Sequence, residues 1–415
     1  MANRYADYLK ALRQPVRKLC RLRFLQPDGS TAFTMDNNAK SLRAGAFIAD
    51  GTITGNRQNG TRRTATVKLV NLDGEYDYNV NQVWFGQEIA LDEGLILPDG
   101  TDYYIQQGIF LIKNPVESVL PSGRTATYSL TDKWAYLDGT LGGNLNAAHV
   151  VDYGTNIYMP IRSLLAEGRG NGYPIDRVTP IFTEYYNGKT QTLPDGTVVS
   201  VTNAPYTQTI EADGGTIALV ILGLGSMLNA LVGYDETGAL RIDPSQDDIS
   251  DLSKPVLWDF SFSDVTLLGP TYTVKNTEVY NEFIVVGEGL DGSAQPWGLA
   301  RNLDIRSDTN VMTIGTKRKW LSLPDYWTRQ QCEDRAVWEL KRASVLQRAV
   351  DISCTQMFHI RGNDLVTIAR TDKPGNPVER HLVMGFSRPL VGNKPMTISA
   401  TSVLDFPNAT VTGGP

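Results

Sequence analysis

Cysteine and histidine are scarce, with three of each in 415 residues. Cys20, Cys332 and Cys354 are far apart and odd in number, which excludes a disulfide framework and a CxxC metal site. His149, His359 and His381 are equally scattered, leaving little material for a zinc centre or a Cys–His nucleophile pair. An excess of positive charge is also missing. The net charge of -6 argues against broad electrostatic binding to nucleic acid, though not against letting a polyanion pass. The opening MANRYADYLKALRQPVRKL has no apolar core of signal-peptide type, so nothing in it directs the chain out of the cytoplasm. Its basic stretch from Lys10 to Arg23 reads as the solvated face of a short helix running into a first strand. One long apolar run stands out, Thr216 to Gly233. It sits at the short end of the ~17–25 residues a membrane span needs, contains Asn229 and several glycines, and has no basic flank. A buried helix is the expectation, and no stable membrane insertion. GxSxG, HExxH and a Walker loop are absent.

What is present is an ordinary folding composition, 41% hydrophobic and 20% charged, in a chain long enough for two or three domains. Asp-Gly pairs recur at Asp28, Asp50, Asp73, Asp99, Asp138, Asp195, Asp213 and Asp291. Such pairs supply the positive φ angles of tight hairpins, so antiparallel strands should dominate. The fold class expected is mainly β with an α+β insertion. After an N-terminal helix or arm over 1–15, residues 16–150 are nearly all strand signal. CRLRFLQPDGSTAFTM is a hairpin around Pro27-Asp28-Gly29, and ATVKLVNL alternates with Val67, Leu69 and Asn71 on one face. The tetrapeptide RTAT opens two strands, at Arg63 and at Arg124, which suggests strands of one barrel or sandwich. Residues 151–260 form an α+β module, with a helix-period segment at NIYMPIRSLLAEGRG and the Thr216 helix. Residues 261–415 return to strands, with one long helix over 323–349 opened by a capping-box-like Ser322-Leu-Pro-Asp325.

The acids and aromatics offer candidates for chemistry. Asp73, Glu75 and Asp77 alternate as the first ligands of a calcium loop would. Positions six and twelve hold Tyr78 and Trp84 instead of glycine and glutamate, so the spacing fails. A turn between strands is the better reading. Gly223 and Gly225 faintly match a dinucleotide fingerprint but lack its third glycine and preceding strand, and suit close helix packing better. Asp243, Asp247, Asp248 and Asp251 form an acidic run that reads as a solvated turn more than a cation site. Trp84, Trp134, Trp258, Trp297, Trp320, Trp327 and Trp338 fit a core or subunit interface better than a sugar platform. No catalytic constellation survives, and no catalytic residue, cofactor or metal is expected.

TATVKLVNLDGEYDYN, followed by WFGQEIALDEG and YYIQQGIFLIKNP, resembles the N-terminal barrel of phage tail-tip and baseplate hub proteins. There a strand ending in LxNxDG precedes a GQxIxL strand and a G-[IV]-[FY]-x-I strand. LGSMLNALVGYDETGALRI looks like the family's helix and D-x-x-G-x-L module. VYNEFIVVGEGLDG looks like its NxIxVxG strand, with Phe283 where the pattern has Ile. DISCTQMFHIRGNDLVTIA and PMTISATS are similar to its C-terminal part. These motifs run in order from Leu22 to about Val403. The resemblance implies two antiparallel, tube-like β-barrel domains with the small α/β module and the long helix. It implies a structural virion protein, not an enzyme, made in the host bacterial cytoplasm and placed at the tail tip or baseplate. A homotrimer would form a pseudo-six-fold ring, with the tail tube or a distal tail protein above and spike, fibre or tail-tip proteins below. DNA would be met only in transit through the lumen. A hexameric distal tail adaptor and a carbohydrate- or surface-binding β-protein are the alternatives.

Overall fold

The computed structural model describes residues 2–414 except 38–45, 75, 78–79, 81–85, 122, 169–171, 193–195, 229, 245–251, 262–263, 276–278, 289–293, 324–325, 327, 344–346 and 403–407. Helix α1 (Ala2–Ala11) leads into β1 (Lys18–Leu25), β2 (Thr31–Asp36), β3 (Ala46–Asn56), β4 (Arg63–Asn71), β5 (Glu88–Ile96), β6 (Asp102–Leu120) and β7 (Gly123–Asp132). The middle holds β8 (His149–Val151), α2 (Tyr158–Ala166), β9 (Ile181–Phe182), β10 (Thr190–Thr192), β11 (Val198–Ser200), β12 (Gln208–Ile210), α3 (Ile217–Met227), β13 (Ala230–Tyr234) and β14 (Leu240–Pro244). Then come β15 (Trp258–Phe260), β16 (Leu267–Lys275), β17 (Glu282–Val286), β18 (Trp297–Asn302), α4 (Val311–Ile314), β19 (Arg318–Ser322), α5 (Arg329–Ala343), β20 (Gln347–Cys354), β21 (Leu365–Ala369), β22 (Val378–Pro389), β23 (Met396–Ser402) and β24 (Ala409–Gly414). The chain is mainly β, and its strand pairings are overwhelmingly antiparallel.

The two RTAT strands, β4 and β7, are direct neighbours, with Val67 opposite Tyr128 and Val70 opposite Thr125. On β4 the side chains of Ala65, Val67, Leu69 and Asn71 are buried and those between face outward, as the alternation predicts. In the first half the strand order is β3-β4-β7-β6-β5-β1-β2, and β2 returns against β3, curling the sheet. A second run, β16-β20-β23-β22, continues the same sheet through β22 and β3.

That continuity has a local cause. The first part of β22 pairs β21, Leu382 lying opposite Leu365. Between Val383 and Gly385 the register shifts, and from Gly385 to Pro389 the strand pairs β3. The carbonyl of the bulged Met384 accepts from Arg57 N at 2.6 Å. A bulge of this kind bends a strand, here handing it from one partner to another. One core therefore runs through both halves, joining Leu22, Val67 and Phe110 to Ile352, Phe386 and Ile398.

Smaller cores lie beside that one among the described residues. Around α2 and α3, Ile161, Leu164, Ile221 and Leu224 pack with Val232 and Ile242. The α3 helix is shorter than its apolar run, because residues from Ala230 onward leave it as β13. It is capped by Thr216, whose Oγ1 accepts from Leu219 N at 3.3 Å. The expected long helix is α5, Arg329–Ala343, bounded on its far side by β20, which starts at Gln347. Asp325 of the capping-box reading lies outside the described residues. Cys332, Ala336 and Leu340 of α5 form an apolar stripe, packed on Phe283, Val285 and Ala300 of the sheet β19-β17-β18-β24.

Candidate functional site: the seam between the halves

In the LDGEYD turn, Asp77 serves the fold. Asn71 Nδ2 donates to Asp77 Oδ1 at 2.8 Å, Tyr76 N donates to Asn71 Oδ1 at 3.1 Å, and Gly74 turns the chain at φ +74. Asp77 also pairs with Arg124, and the Tyr128 hydroxyl donates to the Tyr76 carbonyl. Asp73 is exposed, and Glu75 and Trp84 lie outside the described residues. This is a turn braced to its neighbour strand. Among the described residues no cluster of His, Cys, Asp and Glu could hold a metal ion.

The other candidates divide by environment. A Cβ on Gly225 would stand 2.2 Å from Val232 Cγ2, so the helix glycines do permit close packing. Asp243 is held by Arg241 through two bonds of 3.0 Å, while Asp247, Asp248 and Asp251 lie outside the described residues. Trp134 and Trp258 are buried and Trp338 is half-buried, whereas Trp297 and Trp320 are exposed; Trp327 is not among the described residues. Among the described residues no helix is long and apolar enough to cross a membrane.

The most heavily built polar constellation lies at the joint of the two sheet halves, and sequence reasoning missed it. Arg388 on β22 has no exposed surface. Its Nε donates to Glu93 Oε2 at 2.7 Å, Nη1 to the Met357 carbonyl at 2.7 Å and Nη2 to Gln107 Oε1 at 2.6 Å. Lys18 on β1 reaches the other Glu93 oxygen at 3.0 Å. Gln107 returns a bond to the Phe358 carbonyl at 3.0 Å, and the guanidinium lies 5.2 Å over the Phe358 ring. Strands β1, β5 and β6 of the first half are thus bonded to β22 and the 357–359 segment of the last.

Helix α1 closes over this cluster. Tyr8 accepts from Phe358 N at 2.8 Å and contacts His359 Nδ1 at 3.0 Å. Burial, then Arg388 and Arg361, push the imidazole down to about 4. His381 is also fully buried and pushed down to about 4, chiefly by burial. A second buried pair, Lys133 with Asp176, fastens the middle module to the end of β7. Lys133 Nζ also donates to the Gly238 carbonyl at 2.9 Å. Lys18 also lines a cavity of about 300 Å³ beside Phe358, and the paired charges fix modules to each other. The only sequence signal would have been charges inside apolar strands, in HLVMGFSRPL and EIALDEGL.

A different feature faces outward. Beyond a bulge at Asn114 and Pro115, where Asn114 takes φ +48, β6 runs on to Leu120 and pairs β7 as an arm. Val116, Val119 and Leu120 on this arm are 58%, 68% and 60% exposed. Leu72, 57% exposed, lies 3.8 Å from where a Cβ on Gly123 would stand, at the arm's turn. Three large apolar side chains on one hairpin tip are what an unmet protein interface looks like.

No protein-family model matches the chain, and no curated protein matches its sequence. Its structure does have relatives. A tail protein from Neisseria meningitidis MC58 superposes with a TM-score of 0.61 at 10% identity, over 93% of this chain and 97% of that one. The 43 kDa tail protein of prophage MuSo2 from Shewanella oneidensis gives 0.58 at 13% identity, over 92% and 98%. Prophage tail protein gp18 from Listeria monocytogenes EGD-e gives 0.54 at 8% identity, over 92% and 94%. At these identities the likeness establishes the fold, and it bears out at that level the resemblance to phage tail proteins read from the ordered motifs.

Proposed function

We propose that this chain is a structural, non-enzymatic component of a phage tail or related injection machine, a hub or baseplate protein at the tail tip. The observation that carries the reading is the length of the fold likeness, which runs over nearly the whole of this chain and of tail proteins from three bacterial genomes. A fold shared end to end supports a shared mechanical role better than one shared domain would. The division into modules over 16–150, 151–260 and 261–415 belongs to the same proposal.

In this reading three subunits, each carrying two β-modules, close into a pseudo-six-fold ring. The ring joins the tail tube or a distal tail protein above to spike, fibre or tail-tip proteins below, and DNA passes through its lumen. The buried charge cluster supports this, because a part that transmits load between neighbours needs its halves fixed in register. A net charge of -6 suits a channel that must not trap phosphates. Synthesis in the bacterial cytoplasm before assembly into the virion completes the proposal.

The test is the mass of the purified protein by light scattering across a concentration series, followed by electron microscopy. A trimer forming ring-shaped particles is the expected result. A hexamer would replace the hub reading with that of a distal tail adaptor. The exposed Trp297 and Trp320 keep a surface-binding reading in play. A monomer at every concentration together with a hit on a glycan array would favour it and defeat the hub.

A further inference from the structure

A cleft of about 330 Å³ opens where three segments distant in sequence meet: the β3–β4 turn, the β13–β14 hairpin and the loop after β20. It belongs to neither the seam cluster nor the arm. Among the described residues five guanidinium groups line it, those of Arg57, Arg62, Arg63, Arg241 and Arg361, against four carboxylates. The carboxylates are committed. Glu236 is shared by Arg63 at 3.3 Å and Arg361 at 2.6 Å, and Asp243 is held two ways by Arg241. Asp235 accepts from Thr237 and Ala239 within its own turn, and Asp364 accepts from Arg361 N at 2.7 Å.

Two of the cations also hold neutral groups. Arg57 Nε donates to Asn363 Oδ1 at 3.0 Å and Arg62 Nε to the Gln58 carbonyl at 3.1 Å. Among the described residues Arg62 Nη2 is buried and has no acceptor. A buried donor on a charged group that lacks an acceptor is costly, and the fork of a guanidinium matches two oxygens of a carboxylate or phosphate. The volume sits at the low end of the ~300–1,000 Å³ range of small-ligand sites.

We infer that this cleft is an oxyanion site, in which a phosphate or carboxylate takes Arg62 Nη2 as its first donor beside Arg57, tying the three segments together. The inference goes beyond the tail reading and does not depend on it, since occupancy is measured on whatever oligomer the protein forms. A ligand that binds only the assembled cleft raises the melting temperature by mass action.

The test is a thermal melt of the full-length protein in inorganic phosphate, and separately in acetate, each against sodium chloride of matched ionic strength. Phosphate is expected to give a saturable rise in Tm of roughly 2 °C or more, and acetate a smaller one. Arg62→Met should lose the saturable part and keep the gradual rise that excluded salts give any protein. Arg62→Lys keeps the charge without the fork, so phosphate affinity by calorimetry should fall about tenfold. That variant keeps the test decisive should Arg62→Met not fold. No binding heat for wild type at millimolar phosphate, or an unchanged saturable rise in Arg62→Met, would overturn the site.

Discussion

Arg388 and Glu93 show what a charge costs once it has been folded inside. Each is fully buried, and each satisfies the other with help from Lys18 and Gln107. Removing Arg388 leaves Glu93 with Lys18 alone and frees the Gln107 and Met357 acceptors, so Arg388→Met should lower stability by about 3 kcal/mol, read from the urea midpoint. Adding Glu93→Leu removes the second charge but leaves Lys18 without its carboxylate, so the double variant should lose less than the sum of the single losses, whereas purely additive losses would mean the pair is not coupled. The histidines make a prediction about pH. His359 and His381 are held at about 4 in the fold against 6.5 in the unfolded chain, so the unfolded state binds protons first. Their contribution is complete above pH 6.5 and is lost as pH falls toward 4. Asp132 and Asp364 act with the opposite sign. Burial raises both to about 6, so the folded state takes up the proton first and gains stability as pH falls below 6. With both signs present the native protein should lose little net stability between pH 6.5 and 4.5. His381 faces Glu379 at 3.7 Å, with Arg370 and Lys373 beyond. His381→Phe should shift the change in stability over that interval by about 2 kcal/mol in favour of the acid side, measured by urea titrations at both pH values.

At the scale of elements, the weak point is the pairing of β22 with β3. Glycines stand on both sides of it. A Cβ on Gly385 would meet the Gly55 carbonyl oxygen at 2.8 Å, and one on Gly55 would meet the Phe386 ring at 2.4 Å. Gly385→Val therefore overpacks a contact that includes backbone and should cost about 1–3 kcal/mol. The loss should be local first, with faster amide exchange in β3 and β22 while β4 and β7 stay protected. Uniform acceleration across the whole sheet would show that the seam is not a separable element. The unit built on α5 has its own small core, in which Leu340 is fully buried. Leu340→Ala should cost about 2–5 kcal/mol, with the exchange rise confined to β17, β18, β24 and α5.

At the scale of the molecule, the exposed arm is the surface on which the proposed trimer would be tested. Replacing Val116, Val119 and Leu120 together by Ser or Thr changes surface that the single chain does not bury. The melting temperature of the monomer should stay within about a degree, because such sites seldom alter stability by more than ~0.5 kcal/mol. The trimer population in light scattering should fall at the same protein concentration. An unchanged mass distribution would remove the arm from the interface.

The sequence by itself determined the strand-rich class, the braced turn at LDGEYD, the hairpins at Asp28-Gly29 and Asp99-Gly100, and the apolar face of β4, whereas Asp50-Gly51 lies inside β3 and Asp213-Gly214 leads into α3. These depend on local φ preferences and on side-chain period, which neighbours in the chain specify. The order of those elements was enough to match the fold of tail proteins. Only the tertiary structure decided that the two β halves share one sheet, since the bulge at Met384 carries no pattern distinct from an ordinary strand. It alone revealed that Arg388, Glu93 and Lys18 meet, and that five arginines converge on one cleft. The physical reason is distance along the chain. Arg388 and Glu93 are separated by 295 positions, and a long-range charge pair leaves no periodic trace in either of the strands that carry it.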